Sequence, residues 1–310
     1  MRPPLRGAAC LLLESNGVTS EHQTPGDRRS RSRTSADERR AVARAAGFEA
    51  APRRHSSNHP DFEPVLVFED VWKAFGKNII YEGLNLTVTR GEVLTIVGGS
   101  GTGKSVLLKC LLGLLQPDQG RIFAFGQEVT GRSEAQMLPI RQRVGMLFQG
   151  AALFDSMSVA ENVAWPLVSR GWTNRQRIAD KVEQVLTLVD LNGMQRRMPA
   201  DLSGGMRKRV GLARTIAMEP EVILYDEPTT GLDPSNIKMI DQLVVDMQEV
   251  LGVTSIVVTH DMESAFRISD RIAVLYNKGI EWAGYQDEIE SAENPIVRDF
   301  VAGNVGTSVG

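Results

Sequence analysis

The sequence predicts an α/β fold, and two recurring patterns carry this prediction. Short runs of β-branched and apolar residues return along the chain from about Pro64 onward, as expected for strands buried on both faces of a sheet. Between them lie segments whose apolar residues repeat with helical periodicity. Strands that alternate with helices are typical of α/β proteins with a mostly parallel or mixed sheet.

These patterns also place the individual elements. The runs that fit buried strands are Val65–Phe68, Val93–Val97, Val222–Tyr225 and Thr254–Val258. The segments 176–191 and Pro234–Leu251 each put their apolar residues on one helical face. Between about 150 and 204 the pattern is helical without strands, so we predict a helical insert inside the α/β core.

The net charge of −3 hides an uneven distribution. Residues 1–60 contain 11 Arg, no Lys and 6 acidic residues, whereas residues 61–310 contain 24 basic and 32 acidic residues. The first part is dominated by Arg, Ser, Pro and Ala and has too few large apolar residues to offset the entropy of folding. We therefore predict a disordered basic extension over 1–62, whose deletion leaves activity unchanged. The folded domain is expected over 63–310, with a helical subdomain at about 150–205.

Composition and targeting signals narrow the class of protein. Apolar residues make up 42% and charged residues 24%, which excludes a collagen-like or wholly disordered chain. No run approaches the ~20 apolar residues of a membrane span, and Ala8–Leu13 is short for a secretory signal. The Arg and Ser content of the N-terminus suits a transit peptide, but its acidic residues do not. Cys10 and Cys110 form no disulfide framework or metal-site spacing, which indicates a reducing compartment.

The strongest local motif is a glycine-rich loop between a predicted strand and a helix that runs from Lys104 to about Leu115. It matches the phosphate-loop pattern G-x-x-x-x-G-K-[ST] with Gly98, Gly99, Ser100, Gly101, Thr102, Gly103, Lys104 and Ser105. Glycines let successive backbone N–H groups surround phosphate oxygens at the positive end of a helix. We expect Lys104 to reach the β- and γ-phosphates of ATP and Ser105 to ligate Mg²⁺. The alternative is a glycine-rich turn with a chance lysine.

Polar residues also end three other predicted strands, at the edge where open α/β sheets bind ligands. We expect Asp226 to hold Mg²⁺ largely through water, and Glu227 to orient the attacking water and accept its proton. Gln149 is a candidate Mg²⁺ and water contact, and His260 is a candidate contact to the γ-phosphate. The alternatives are solvated strand ends and a structural histidine.

A second helix start with two glycines opens at Leu202–Arg209. Ser203 is a natural N-cap, and Gly204 and Gly205 expose backbone N–H groups at the positive end of the helix, which we expect to run to about Met218. Two interpretations stay open on these residues. The segment is either a capped helix with a solvated basic face or a second phosphate-binding surface.

Taken together, these motifs resemble the ATPase subunits of ABC transporters over roughly residues 64–303. The Gln149 loop, the signature Leu202–Met206, Glu227, Gly231–Asp233 and His260 occur in the order of that family. The resemblance implies a P-loop NTPase with a RecA-like core, an antiparallel β-subdomain and a helical subdomain. It also implies ATP and Mg²⁺ as cofactors.

The family resemblance further implies a head-to-tail homodimer in which each ATP is held between two subunits. Ser203 and Gly205, with Gly204 between them, would then contact the γ-phosphate of the partner's ATP, and Asp233 would lie at the interface. Phe75 matches the position that stacks on adenine, with a buried core phenylalanine as the alternative. Gly99 and Val106 depart from the commonest loop form, which carries Pro and Thr there. Val106 is still expected to line the nucleotide site, and activity is expected to survive both changes.

One stretch is more particular within the family. Gly145–Leu167 closely resembles the ATPase of Mla/MCE-type phospholipid transporters, as do Met206 and Asn294–Phe300. This resemblance implies an integral-membrane permease and a lipid-binding MCE-type protein as partners, and a peripheral location on the cytoplasmic face of the inner membrane. No nucleic-acid partner is expected, because the acidic body lacks a basic footprint.

Three alternatives remain at this point. The chain is an ATPase of another ABC importer or envelope complex, a non-transport ABC protein that acts on nucleic acid, or a nucleotide-binding scaffold without turnover. A single nucleotide module without a long coiled-coil insert argues against the second. Substitution of Glu227 separates the third from an enzyme.

Overall fold

The computed structural model describes residues 36–45, 63–289 and 291–302. The described residues form two compact units. The helical unit contains residues 36–45 and 151–218, and the sheet unit contains residues 63–150, 219–289 and 291–302. None of the helices in these ranges combines the length and apolar character needed to cross a bilayer.

The strands and helices of the described residues are numbered in chain order. The strands are β1 (Pro64–Phe75), β2 (Asn78–Thr89), β3 (Val93–Val97), β4 (Gln119–Ala124), β5 (Gln127–Glu128), β6 (Val144–Leu147), β7 (Val222–Asp226), β8 (Thr254–Thr259), β9 (Arg271–Tyr276) and β10 (Gly279–Tyr285). The α-helices are α1 (Ala36–Ala45), α2 (Lys104–Leu111), α3 (Glu134–Arg143), α4 (Val159–Ser169), α5 (Arg175–Leu188), α6 (Gly204–Ile216), α7 (Pro234–Leu251), α8 (Met262–Ile268), α9 (Gln286–Ile289) and α10 (Pro295–Val301).

A six-stranded sheet forms the core of the sheet unit, in the order β10-β9-β3-β8-β7-β6. Its strands are parallel except for the edge strand β10. Strands β3, β7 and β8 are buried along their whole length, which explains their continuous apolar sequences. Parallel strands bring the residues that follow β3, β6, β7 and β8 to the same edge of the sheet. The predicted α/β core is confirmed.

A second, four-stranded sheet is antiparallel throughout, in the order β2-β1-β4-β5. This confirms the antiparallel subdomain that the family resemblance implied. Strand β1 runs well beyond the predicted Val65–Phe68, because its register shifts between Phe68 and Val71 and the pairing then continues. The bulge interrupts the apolar alternation that marks a strand in sequence. Buried side chains of both sheets and of α2 pack in one apolar cluster.

The helix after the phosphate loop ends earlier than predicted, at Leu111 rather than near Leu115. Leu112 caps it, and Gly113 follows with a φ of +65°. A glycine in the left-handed region just past the last turn is a common helix stop. Because Leu114 and Leu115 continue the apolar pattern, the sequence predicted a helix that extends past Gly113.

The helical unit is built from α4, α5 and α6, which pack on one another. The side chains of Ser158, Asn174 and Ser203 cap their amino termini. Because α6 packs on the other two helices, the unit extends to Met218 and not to about 205 as expected.

The prediction of disorder over 1–62 is wrong for one segment. Helix α1 forms at Ala36–Ala45 and packs on α5. Asp37 and Glu38 lie in its first turn and Arg44 in its last, which favours a helix through the macrodipole. This alanine- and arginine-rich stretch does not stand out in the average composition of residues 1–62. The other residues of 1–62 lie outside the described ranges, so the prediction for them stays a prediction.

Candidate active site

A cavity of about 970 Å³ opens in the sheet unit at the edge where the parallel strands end. The residues predicted for nucleotide, metal or catalysis that line it are Gly98, Gly99, Ser100, Gly101, Gly103, Lys104, Ser105, Val106, Gln149, Glu227 and His260. They come from the ends of four different strands and from the start of α2. The sheet topology therefore brings residues far apart in sequence to one site.

The phosphate loop requires glycine at Gly103, which has a φ of +106°. A Cβ atom there would lie 2.5 Å from Ile80 Cγ2 and 3.1 Å from the ring of Tyr81. The Tyr81 hydroxyl donates a hydrogen bond of 2.5 Å to the Gly103 carbonyl. Burial raises the pKa of Tyr81 far above its ordinary value, so the hydroxyl stays a donor. The loop is thus held by side chains of β2.

Lys104 lies folded into the loop. Its Nζ donates to the carbonyls of Gly98 at 2.8 Å and Gly99 at 2.9 Å, and its side chain is only 6% exposed. Burial lowers the pKa of Lys104, and the negative charges of Glu227 and Asp226 oppose that shift. The ammonium group is therefore already held beside the backbone that phosphates would approach.

Glu227 is the most constrained residue of the site. Its φ is +49°, a left-handed backbone conformation that is uncommon for a residue with a side chain and is often found at functional sites. One carboxylate oxygen accepts from Thr230 Oγ1 at 3.0 Å and lies 2.8 Å from His260 Nδ1. The other lies 3.6 Å from Lys104 Nζ. The carboxylate is 13% exposed, so it faces the cavity from a fixed position.

Two oxygen donors suited to Mg²⁺ stand side by side next to this carboxylate. The Ser105 hydroxyl donates to Asp226 Oδ1 at 2.7 Å. A hydroxyl and one carboxylate, with phosphate and water oxygens for the remaining positions, is the ligand set that Mg²⁺ adopts in nucleotide sites. The residues present therefore fit this ion. Gln149 is exposed and lines the same cavity.

Four of the predicted residues lie away from the cavity lining in the sheet unit. Thr102 turns its hydroxyl to the Gly99 carbonyl at 3.0 Å, and Asp226 lies behind Ser105. Phe75 is 47% exposed, and Lys73 Nζ lies 5.3 Å from its ring centre. This exposure excludes the alternative of a core phenylalanine. Asp233 caps α7 through the backbone N–H groups of residues 235 and 236, and hydrogen bonds from these two residues lower the pKa of its carboxyl group.

The signature residues belong to the helical unit. The Ser203 hydroxyl accepts from the Met206 backbone N–H at 3.2 Å and caps α6, while the residue remains exposed. Gly204 is partly exposed and Gly205 is buried. The N-cap predicted from the sequence is present.

Several lining residues were not predicted: Ile80, Thr230, Asp261, Met262, Glu263 and Phe300. A signal existed for two of them. Thr230 follows Glu227 at a spacing that lets its hydroxyl reach the Glu227 carboxylate. Asp261 comes directly after His260 and caps α8. Ile80 and Phe300 gave no signal, because an apolar residue in a strand or helix looks like any other core residue.

A parallel sheet with a glycine-rich phosphate loop after one strand and an acidic pair after another defines a P-loop nucleotide-binding protein. Residues 81–230 match the ABC transporter family. The chain belongs to this family. The predicted fold class is confirmed.

Three relatives show the range of the family around this chain. The probable ribonucleotide transport ATP-binding protein mkl of Mycobacterium tuberculosis is 39% identical over 231 residues, 74% of this chain and 64% of the relative. Protein trigalactosyldiacylglycerol 3, chloroplastic, of Arabidopsis thaliana is 38% identical over 79% of this chain and 75% of its own. The methionine import ATP-binding protein MetN of Rhizobium johnstonii is 38% identical over 80% of this chain and 72% of its own. The chain thus spans 64% of the length of mkl.

Solved structures show the same fold. cbiO1 from Clostridium perfringens, described as part of the ABC transporter complex cbiONQ, has a TM-score of 0.69 at 30% identity and covers 77% of this chain and 95% of its own. The cassette MJ0796, solved as a dimer bound to ADP and Pi, has a TM-score of 0.65 at 30% identity and covers 71% of this chain and 98% of its own.

Proposed function

We propose that this chain is the ATP-hydrolysing subunit of an ABC transporter that moves phospholipid, of the Mla/MCE type. The observation that carries the hydrolytic part is the placement of Glu227. Its carboxylate is held by Thr230 and His260 and faces the cavity next to Lys104. A carboxylate fixed beside a phosphate loop is positioned to accept a proton from an attacking water.

Each remaining residue has a role in this proposal. The backbone N–H groups of the phosphate loop and Lys104 bind the β- and γ-phosphates, and Phe75 offers an exposed ring for adenine. Ser105, Asp226 and Gln149 would hold Mg²⁺, which neutralises phosphate charge when bound. His260 orients Glu227 and reaches the γ-phosphate from the same edge of the sheet.

We further propose a head-to-tail homodimer. In it Ser203, Gly204 and Gly205 of one subunit contact the γ-phosphate bound by the other, with Asp233 at the interface. The dimeric state of MJ0796 supports this arrangement. An exposed Ser203 at the positive end of a helix is available for such a contact. ATP binding would close the dimer, and hydrolysis would release it.

The membrane partners are proposed from the resemblance of Gly145–Leu167 to lipid-transport ATPases. They are an integral-membrane permease and a lipid-binding MCE-type protein, with the chain peripheral on the cytoplasmic face of the inner membrane. Arabidopsis protein trigalactosyldiacylglycerol 3, which carries the name of a galactolipid, supports a lipid cargo. A second candidate is an importer of small solutes, which the likeness to methionine import protein MetN favours.

Capture from native membranes tests the cargo. Tagged Glu227→Gln, loaded with ATP, is expected to recover an integral-membrane protein and phospholipid together. Lys104→Ala is the matched control, since it lacks the phosphate-binding ammonium group. Mass spectrometry then identifies the recovered membrane protein and the recovered lipid. Proteoliposomes that contain the complex are tested for ATP-dependent movement of a fluorescent phospholipid. A recovered permease that carries no phospholipid and moves a small solute instead would replace the lipid proposal by the importer.

A further inference from the structure

Helix α1 makes a buried ionic contact within the helical unit, and the nucleotide site does not use this contact. Arg39 Nη2 lies 2.5 Å from Asp190 Oδ2, with the two side chains only 6% and 11% exposed. Ala43, one turn further along the same face of α1, is fully buried, whereas Arg40 is exposed. The helix therefore docks through a defined face that includes the Arg39–Asp190 ion pair.

Asp190 lies just past the carboxyl end of α5. It has a φ of +54° and follows Val189, the C-cap. A negative side chain is unfavourable there, because the end of a helix carries a partial negative charge from its terminal carbonyls. Arg39 neutralises that carboxylate in a place where little water reaches it.

Asp190 also contacts α6, the helix that begins at the signature motif. Arg209 of α6 donates from Nη1 to the carbonyl of Asp190 at 3.0 Å and to that of Val189 at 3.3 Å. Asp190 is therefore shared: its side chain pairs with α1, and its backbone pairs with α6. Ser203, Gly204 and Gly205 lie at the amino end of the same helix, which contains Arg209 near its middle.

We propose that Arg39 is a positioning residue for ATP turnover, because its pairing with Asp190 keeps Arg209 on the carbonyls of α5 and so fixes the signature helix. This inference rests on the proposed function, in which the signature residues complete the site of the partner subunit. Without Arg39, the Asp190 carboxylate loses this buried ion pair and competes with the neighbouring carbonyls for Arg209. Small displacements of positioning groups cost catalysis disproportionately.

Steady-state ATP hydrolysis by the full-length chain tests this proposal, with kcat and the affinity for a fluorescent ATP analogue measured separately. Arg39→Ala is expected to lower kcat about tenfold. Its nucleotide affinity is expected to stay within about twofold of the wild type, because the phosphate loop belongs to the sheet unit. Arg39→Lys is expected to recover most of the loss. Arg40→Ala removes the same charge from the exposed face of the same helix and is expected to behave as the wild type.

A double variant separates positioning from packing. Arg39→Ala combined with Asp190→Asn removes the competing carboxylate and is expected to restore at least half of kcat, which lost packing alone would not allow. Wild-type kcat in Arg39→Ala, or no recovery in the double variant, would overturn the inference while Glu227-dependent turnover still supports the proposed function. A wild-type chain without Glu227-dependent turnover would overturn both.

Discussion

The phosphate loop and the signature motif are both glycine-containing starts of helices, yet the structure treats them differently. Around the phosphate loop, Lys104, Ser105 and Glu227 contact one another or their neighbours across the ends of two strands, β3 and β7. At the signature motif, Ser203 bonds to its own helix and remains exposed. The polar residues of the phosphate loop contact one another within the sheet unit, whereas the signature motif leaves an exposed helix start in the helical unit. In the proposed head-to-tail dimer, the phosphate loop holds nucleotide and the signature motif completes the site of the partner subunit.

Among the variants of the phosphate loop, Lys104→Ala should have the largest effect on turnover. Loss of a buried ammonium group aimed at the phosphates is expected to lower turnover by about 10²- to 10³-fold and to weaken ATP binding. Lys109→Ala, an exposed lysine of the same helix, should leave both unchanged. Phosphate release and ATP-analogue titration measure the two quantities. Equal effects of the two variants would contradict the assigned role of Lys104.

Gly103→Ala tests whether the loop is fixed by close packing. The added methyl group meets Ile80 and Tyr81, and the φ is unfavourable for alanine, so we expect at least a tenfold loss of turnover and a lower stability. Gly126→Ala is the control, because it has a φ of +72° with no atom within 4 Å of the new Cβ. Urea unfolding should show a cost of about 1 kcal/mol for Gly126→Ala and about 1–3 kcal/mol more for Gly103→Ala. Equal costs would show that the contacts add nothing.

Ser203→Ala tests the proposed role of the signature motif in turnover. The helix loses its cap, at about 1 kcal/mol, and the proposed dimer loses a contact to the γ-phosphate. Turnover is expected to fall about tenfold with ATP binding retained. Ser158→Ala removes the cap of α4 in the same unit and should cost a similar stability while leaving turnover intact. If both variants kept full turnover, Ser203 would be only a cap.

The smallest expected effect is a pH dependence. Burial lowers the pKa of Lys104 below its ordinary 10.5, so its ammonium form is lost at a lower pH than in an exposed lysine. As pH rises, kcat/KM for ATP should decline and reach half its maximum below pH 10.5. Lys109→Ala should show the same curve. A profile that stays level up to pH 10.5 would contradict the effect of burial on Lys104.

Most cavity-lining residues could be found in the sequence because their motifs are local. Gly98–Ser105, Glu227 and His260 each follow an apolar strand, and parallel strands end at one edge. Ile80 and Phe300 escaped prediction, since only packing between distant segments brings them to the cavity. Helix α1 was missed for a different reason: its Arg39 pairs with Asp190, about 150 residues away, and the composition of 1–62 cannot show this contact.

Glu227→Gln tests the proposed function most directly, by ATP hydrolysis and by ATP-dependent dimerisation in light scattering. We expect turnover to fall about 10²- to 10⁴-fold with ATP affinity unchanged, and the dimer to persist in ATP because the bound nucleotide is not consumed. Turnover at the wild-type rate would contradict this proposal, since another group would then accept the proton of the attacking water.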